Sequence, residues 1–259
     1  MKDAVLSIHA EGDSAVAADL ADAFGPYGVP LTILTRDEAA AVASEFLPVH
    51  DWEFDQGAIP RFLNRFVNLF PDETYDLLLR RIEQNSGAGQ NRPQSRSFGL
   101  VHENIFFGGV PVEKRLQLGR DCIGRLIRSD SDSAIDLANL FWAVAGYDEP
   151  ALQLTLEIAP GVDDRGVHNI ATLIEKATPL LAFTNTEFTR DLIGRFTGEQ
   201  REWIVQAFAY QARHFGGGVY AGDPADYIAD QQRRFANQVA TFPDDAGLED
   251  LARALRRLT

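Results

Sequence analysis

Five histidines and one cysteine are the residues of this 259-residue chain best suited to metal binding, acid–base catalysis or nucleophilic attack. His9, His50, His102, His168 and His214 stand apart. None belongs to an H-E-x-x-H pair, and none lies at metal-ligand spacing from a cysteine. His9-Ala10-Glu11 matches the first half of a zinc-deaminase signature. The second half needs P-C-x-x-C, and Cys122 is the chain's single cysteine. His50-Asp51 and His102-Glu103 are sequence neighbours that would point in different directions on a helix, so they read as surface polar pairs. Arg120 and Arg125 near Cys122 would favour a thiolate. Cys122 also lies beside Ile123 in a helical apolar stripe, where a free thiol packs as a small hydrophobe, and that is the reading adopted.

No G-x-S-x-G elbow occurs, and no G-x-x-x-x-G-K-[ST] phosphate loop. Gly87-Ala88-Gly89 and Gly216-Gly217-Gly218 follow no clear strand and so lack the setting in which glycines cradle phosphate. Asp163-Asp164 and Asp244-Asp245 each precede a predicted helix, where carboxylates stabilise the N-terminal dipole. Trp52, Trp142 and Trp203 fall in separate helical stripes and read as packing residues, not as a stacking platform for bases. The sequence therefore predicts no catalytic, cofactor or metal site and a non-enzymatic chain. The alternative is a hydrolase whose site is assembled from dispersed acids.

Charge separates the chain into two regimes. Formal net charge is −14, which repels phosphate backbones, so nucleic acid is not the expected partner. From Arg80 to Arg128, however, nine basic and four acidic side chains leave a local excess of +5. Arg115, Arg120, Arg125 and Arg128 are the candidate patch for an anionic partner there. Three lysines against 21 arginines read as the codon bias of a GC-rich bacterial genome. The longest apolar run, Leu137 to Gly146, is far short of the ~20 residues a membrane span needs. The first residues, Met1-Lys2-Asp3, lead into no secretory apolar region. A cytoplasmic chain with no membrane partner is the expectation.

The elements that would position these residues are helices. Phe62, Leu63, Phe66, Val67 and Phe70 line one face, with Arg61, Asn64, Arg65 and Asn68 opposite. Pro71 breaks that helix, and Tyr75, Leu78, Leu79 and Ile82 stripe the next. The two should form a hairpin, each covering the other's stripe. Later stripes are Leu116/Gly119/Ile123/Leu126, Ile135/Ala138/Trp142/Ala145, Trp203/Ile204/Ala207/Phe208, Ile228/Phe235/Val239 and Leu248/Leu251/Leu255/Leu258. Thr35 with Glu38 and Thr184 with Glu187 have capping-box spacing, and Ser14 and Ser133 are further candidate caps. Residues 1–35 can be read as helical or as a βαβ unit, because Ala4–Ile8 and Pro30–Leu34 flank a helix; the helical reading is adopted. Pairs begin near Asp51, Pro111, Asp148 and Thr184, the last three roughly 36 residues apart, as in helical repeats. The predicted fold is all-α, an irregular, HEAT-like α-solenoid of stacked helix pairs. It divides into an N-terminal helical segment, 1–50, and a helical-repeat domain, 51–259, that carries a mobile loop at 85–97.

The stretch Arg61-Phe62-Leu63-Asn64-Arg65-Phe66 through Tyr75-Asp76-Leu77-Leu78-Leu79-Arg80-Arg81-Ile82-Glu83 resembles the irregular helical repeats at the C-terminal end of large bacterial NTP-binding proteins of the signal-transduction ATPase (STAND) type. Gly216-Gly217-Gly218-Val219-Tyr220-Ala221-Gly222-Asp223-Pro224, followed by the helix of Gln231 to Val239, is similar to how such regions finish. The resemblance implies a sensor or docking array, acting without its nucleotide-binding module or beside it, with another protein as its partner. For the loop, limited trypsin digestion should cut first at Arg96, because Arg92 is shielded by Pro93. An uncut segment between Asn85 and Ser97 would show that the loop is pinned.

Overall fold

The computed structural model describes residues 2–52, 54–86, 105–177, 181–213 and 224–256. Among them are fourteen α-helices, two short 3₁₀ turns and no strand. In chain order the helices are α1 (Lys2–Leu6), α2 (Ser14–Ala23), α3 (Arg36–Phe46), α4 (Phe54–Phe66), α5 (Pro71–Ser86), α6 (Val112–Leu126) and α7 (Ser131–Ala145). They continue with α8 (Glu149–Ile158), α9 (Asp164–Glu175), α10 (Leu181–Thr184), α11 (Thr186–Gly194), α12 (Gly198–Arg213), α13 (Pro224–Val239) and α14 (Ala246–Arg256). The Ala4–Ile8 run begins inside α1, and Leu31–Ile33 is a 3₁₀ turn, so neither is a strand. Asn85 and Ser86, read above as loop, finish α5; residues 87–97 of the expected mobile loop lie outside the described residues.

The chain divides into two units, Met1–Cys122 with Asn139–Gly146, and Ile123–Ala138 with Tyr147–Thr259. Helices α1–α5 all belong to the first unit.

In the first unit a ladder of phenylalanines forms the core. Phe24 and Phe46 both meet Phe62, at 5.7 and 5.1 Å between ring centroids, and Phe62–Phe66–Phe70 continue at 5.0 Å steps. Phe62 and Phe66 lie one turn apart on one face of α4, and Phe70, four residues further in the turn after it, continues the stack. What they cover differs from the simple hairpin: α4 packs mainly on α2, and α5 mainly on α3. Phe62 finds its aromatic neighbours on residues before position 50, so the stripe is filled by preceding helices, and the α4–α5 contact is the smaller one. Pro71 opens α5 at its first position, where the missing N–H is no loss. Trp142 is 4% exposed and meets Phe141 edge-on at 4.9 Å, which fits its place on a helix apolar on most sides. Ile135 of the same predicted stripe is 45% exposed, because the first turns of α7 are amphipathic where the last are buried.

The second unit is organised around α9 and α12, which pack along their length, with α14 on α12 and α11 on α8. Val167, Ile170, Leu173 and Ile174 of α9 and Ile204, Ala207 and Phe208 of α12 are buried. Local capping fixes where these helices begin. Asp148, Asp163 and Asp245 each accept hydrogen bonds from the first free backbone N–H groups of the helix that follows. Thr35 and Glu38 form the predicted capping box on α3. Elsewhere the cap is a neighbouring residue: Asp13 in place of Ser14, and Asp130 in place of Ser133. Asn185 takes the N-cap position of α11, and Thr184 ends α10 instead.

Helix C-termini are closed differently. Gln211 of α12 is 5% exposed, and its Nε2 donates to the carbonyls of Ile174 and Ala177, both at 2.9 Å. Its Oε1 accepts from Leu181 N at 3.1 Å, so one amide joins the end of α9 to the start of α10. Gln211→Leu keeps the volume but leaves two carbonyls and one N–H without this partner. It should lower the unfolding free energy by about 2–4 kcal/mol in urea denaturation. Gln206→Leu, at an exposed position of the same helix, should change it by less than about 0.5 kcal/mol. Equal effects of the two would remove the amide's structural role.

Candidate functional site

A concavity in the second unit is built from three short pieces. Helix α8 contributes Glu149, Gln153 and Leu156, which share a face at i, i+4 and i+7. The α10–α11 corner contributes Thr184, Asn185, Thr186, Glu187, Phe188 and Asp191, and the turn after α13 adds Thr241 and Phe242. Together they enclose a cleft of about 390 Å³.

Hydrogen bonds hold the corner in place. The hydroxyl of Thr189 is fully buried and donates to the carbonyls of Leu181 and Asn185, at 3.2 and 3.0 Å. Two helices are thereby bent around one side chain, and Glu187 and Asp191, four residues apart, face the same side. Gln153 donates to Glu149 at 2.6 Å. Exposed Glu187 forms no ion pair among the described residues. The Nε and one Nη of Arg190 both donate to a single oxygen of Asp191, at 2.8 and 2.6 Å. The same guanidinium sits 4.4 Å from the centroid of the Phe242 ring. The cleft thus combines three carboxylates, amide and hydroxyl groups and two phenylalanines. Chemically it suits a cation carried on an apolar stem.

The four arginines proposed from sequence are divided between the two units, Arg115 and Arg120 in the first, Arg125 and Arg128 in the second. Arg115 points inward and donates to the carbonyl of Ala145 at 2.8 Å, closing the end of α7. Gly146 follows with φ +80°, the left-handed conformation that ends a helix, and a Cβ there would press on the Arg115 guanidinium at 2.8 Å. Arg120, Arg125 and Arg128 are exposed. Arg81, counted with the same basic stretch, is 5% exposed and donates to the carbonyls of Val49 and His50 at 2.6 and 3.1 Å. Its guanidinium lies 4.1 Å from the Trp52 ring centroid, and burial pushes its pKa down to about 10.

Among the histidines, His9 Nδ1 lies 2.9 Å from Glu45 Oε1, and the other oxygen of Glu45 accepts from Ala10 N. A carboxylate orients this imidazole, but the pair is exposed and has no nucleophile among its hydrogen-bond partners in the described residues. His168 stacks on Trp203 with centroids 3.8 Å apart, and Trp203 is half-buried, not fully in the core. His50 contributes its carbonyl to Arg81. His102 and His214 lie outside the described residues, as do Gly216–Gly218. No group of three His, Cys, Asp or Glu among the described residues is placed to hold a metal ion, and Cys122 is buried and outside any disulfide. No described helix is long and apolar enough to cross a membrane. No family model, characterised protein or solved structure matches the chain.

One titrating group was not visible in the sequence. Asp136 on α7 is largely buried, and desolvation raises its pKa from 3.8 to about 6 despite the opposing charge of Lys176. The folded chain therefore binds this proton more tightly than the unfolded chain, and stability from this group is lost as pH rises from about 4 through about 6. Asp136→Asn should be more stable than the parent at pH 7.5, by of the order of 2 kcal/mol. The difference should vanish near pH 4. A gap in urea midpoint that is the same at both pH values would show that Asp136 is not titrating in this range.

Proposed function

We propose that this chain is a non-enzymatic docking module, which binds a basic segment of a partner protein in the cleft between α8, α11 and the turn after α13. The observation that carries the reading is the lining of that cleft: Glu149, Glu187 and Asp191 beside Phe188 and Phe242, in a chain of net charge −14. Carboxylates at a concave surface attract Lys and Arg, and the overall charge steers a basic partner towards the molecule. The packing of α2 on α4 and of α3 on α5 supports a stacked arrangement of helix pairs, the geometry on which repeat proteins display concave surfaces. In that setting the chain is a sensor or docking array of a bacterial signalling or defence system, in the cytoplasm, as its resemblance to the repeats of STAND-type ATPases implies. On this reading the exposed Arg120, Arg125 and Arg128 are surface residues and not a nucleic-acid site.

A fluorescein-labelled peptide of alternating Arg and Lys should bind the intact chain in anisotropy titrations, with affinity that falls as salt is raised. The double charge reversal Glu149→Lys, Glu187→Lys should weaken binding at least tenfold while leaving the helical circular-dichroism signal unchanged. Absence of binding at low salt, or binding indifferent to that reversal, would remove the cleft from the proposal. Reproducible turnover of a substrate, abolished by one His or acid substitution, would replace the docking reading with the enzymatic one.

A further inference from the structure

Within that docking reading, we infer that the cleft selects arginine over lysine, and that Arg190 holds the seat in the free chain that a partner's guanidinium takes on binding. The inference starts from how Arg190 is held. Its guanidinium lies against the Phe242 ring and directs two N–H groups at one oxygen of Asp191. Phe242 and Asp191 both line the cleft, and the same two residues already bind a planar cation in the free chain. This is a recognition mode suited to guanidinium, which stacks flat on an aromatic ring while donating in its own plane. An ammonium group has no plane to stack and is more strongly hydrated.

Arg190 is not locked in place. It is neighbour to Asp191 in the chain, its side chain is 30% exposed and that of Asp191 42% exposed, so the pair sits where water competes for it. Both donors use the same Asp191 oxygen, and the second oxygen has no hydrogen-bond partner among the described residues. One turn earlier on α11, Glu187 is exposed and without an ion pair among the described residues. An incoming arginine can therefore dock its stem along Phe188 and Leu156, reach Glu187 and the second oxygen of Asp191, and displace Arg190 from Phe242. Displacement exchanges one guanidinium for another, so the ring and carboxylate never lose their cation. Arg190 then weakens every ligand by competition and weakens arginine ligands most, since these need the stacked position.

The test compares labelled tetra-arginine and tetra-lysine peptides, each capped at both ends, on the full chain and two variants. The parent chain should bind tetra-arginine at least fivefold more tightly than tetra-lysine. Arg190→Gln should tighten tetra-arginine roughly tenfold and tetra-lysine less than threefold, the smaller gain reflecting loss of one positive charge. Phe242→Leu should remove the preference between the two peptides while keeping the helical signal. Equal affinity of the parent for both peptides, or equal gains from Arg190→Gln, overturns the arginine seat and leaves the docking reading standing. Failure of every form to bind either peptide at low salt overturns both.

Discussion

Every α-helix ends in carbonyls that no N–H of its own reaches, and a chain made of fourteen described helices must close many such ends away from water. In this protein polar side chains delivered from other helices meet carbonyls at these ends and in the turns just beyond them. Arg65 donates to Phe24 O, Arg81 to the carbonyls of Val49 and His50, and Arg115 to Ala145 O. Asn169 donates to the carbonyls of Leu126 and Ser129, and Gln211 to those of Ile174 and Ala177. Donor and acceptor are separated by 41, 32 and 31, 30, 43 and 40, and 37 and 34 residues. Each bond thus reaches past an intervening helix or loop.

That separation has a structural consequence. A hydrophobic stripe specifies which face of a helix is covered, but it tolerates sliding along the axis. A guanidinium or amide that must meet a particular carbonyl does not, because an unmet buried carbonyl costs about 1–3 kcal/mol. The staples therefore set register, and the apolar faces supply most of the attraction. Arg81 illustrates the balance. Burial lowers its pKa to about 10, a direct sign that its charge is unfavourably placed, yet the carbonyls of Val49 and His50 and the Trp52 ring surround it. Trp52 is itself fixed by donation from Nε1 to Phe46 O, so the corner after α3 is closed by two side chains that also touch each other.

The division between what could and could not be read from the residues follows the same line. Stripes and N-terminal caps are local, set by residues within one or two turns. Phe62, Phe66 and Phe70, Pro71, the Thr35–Glu38 box and the aspartates before α9 and α14 were accordingly legible. Where two polar residues competed for a cap, as Asp130 with Ser133, spacing alone did not decide. The staples were illegible, because nothing in the vicinity of Arg81 or Gln211 says that a helix ends some thirty residues upstream and across the core. The cleft was equally hidden. Its acids, Glu149, Glu187 and Asp191, meet Phe242 only after four helices have been placed, and no motif spans that distance.

Some of the cations in the middle of the chain serve the same closing role. A count of side chains between Arg80 and Arg128 marks the middle of the chain as the place for an anionic partner. Arg81 and Arg115 are spent on carbonyls inside the first unit, and Lys114 pairs with Asp72 at 2.5 Å. Guanidiniums held in this way have N–H donors occupied within the fold, and Lys114 is paired with an opposite charge. The acids of the cleft are the opposite case. Arg190 pairs with one of them, Asp191, and Glu187 faces solvent. In a chain whose cations double as structural donors, exposed carboxylates are the charges left over at the surface, and the docking proposal assigns them a basic partner.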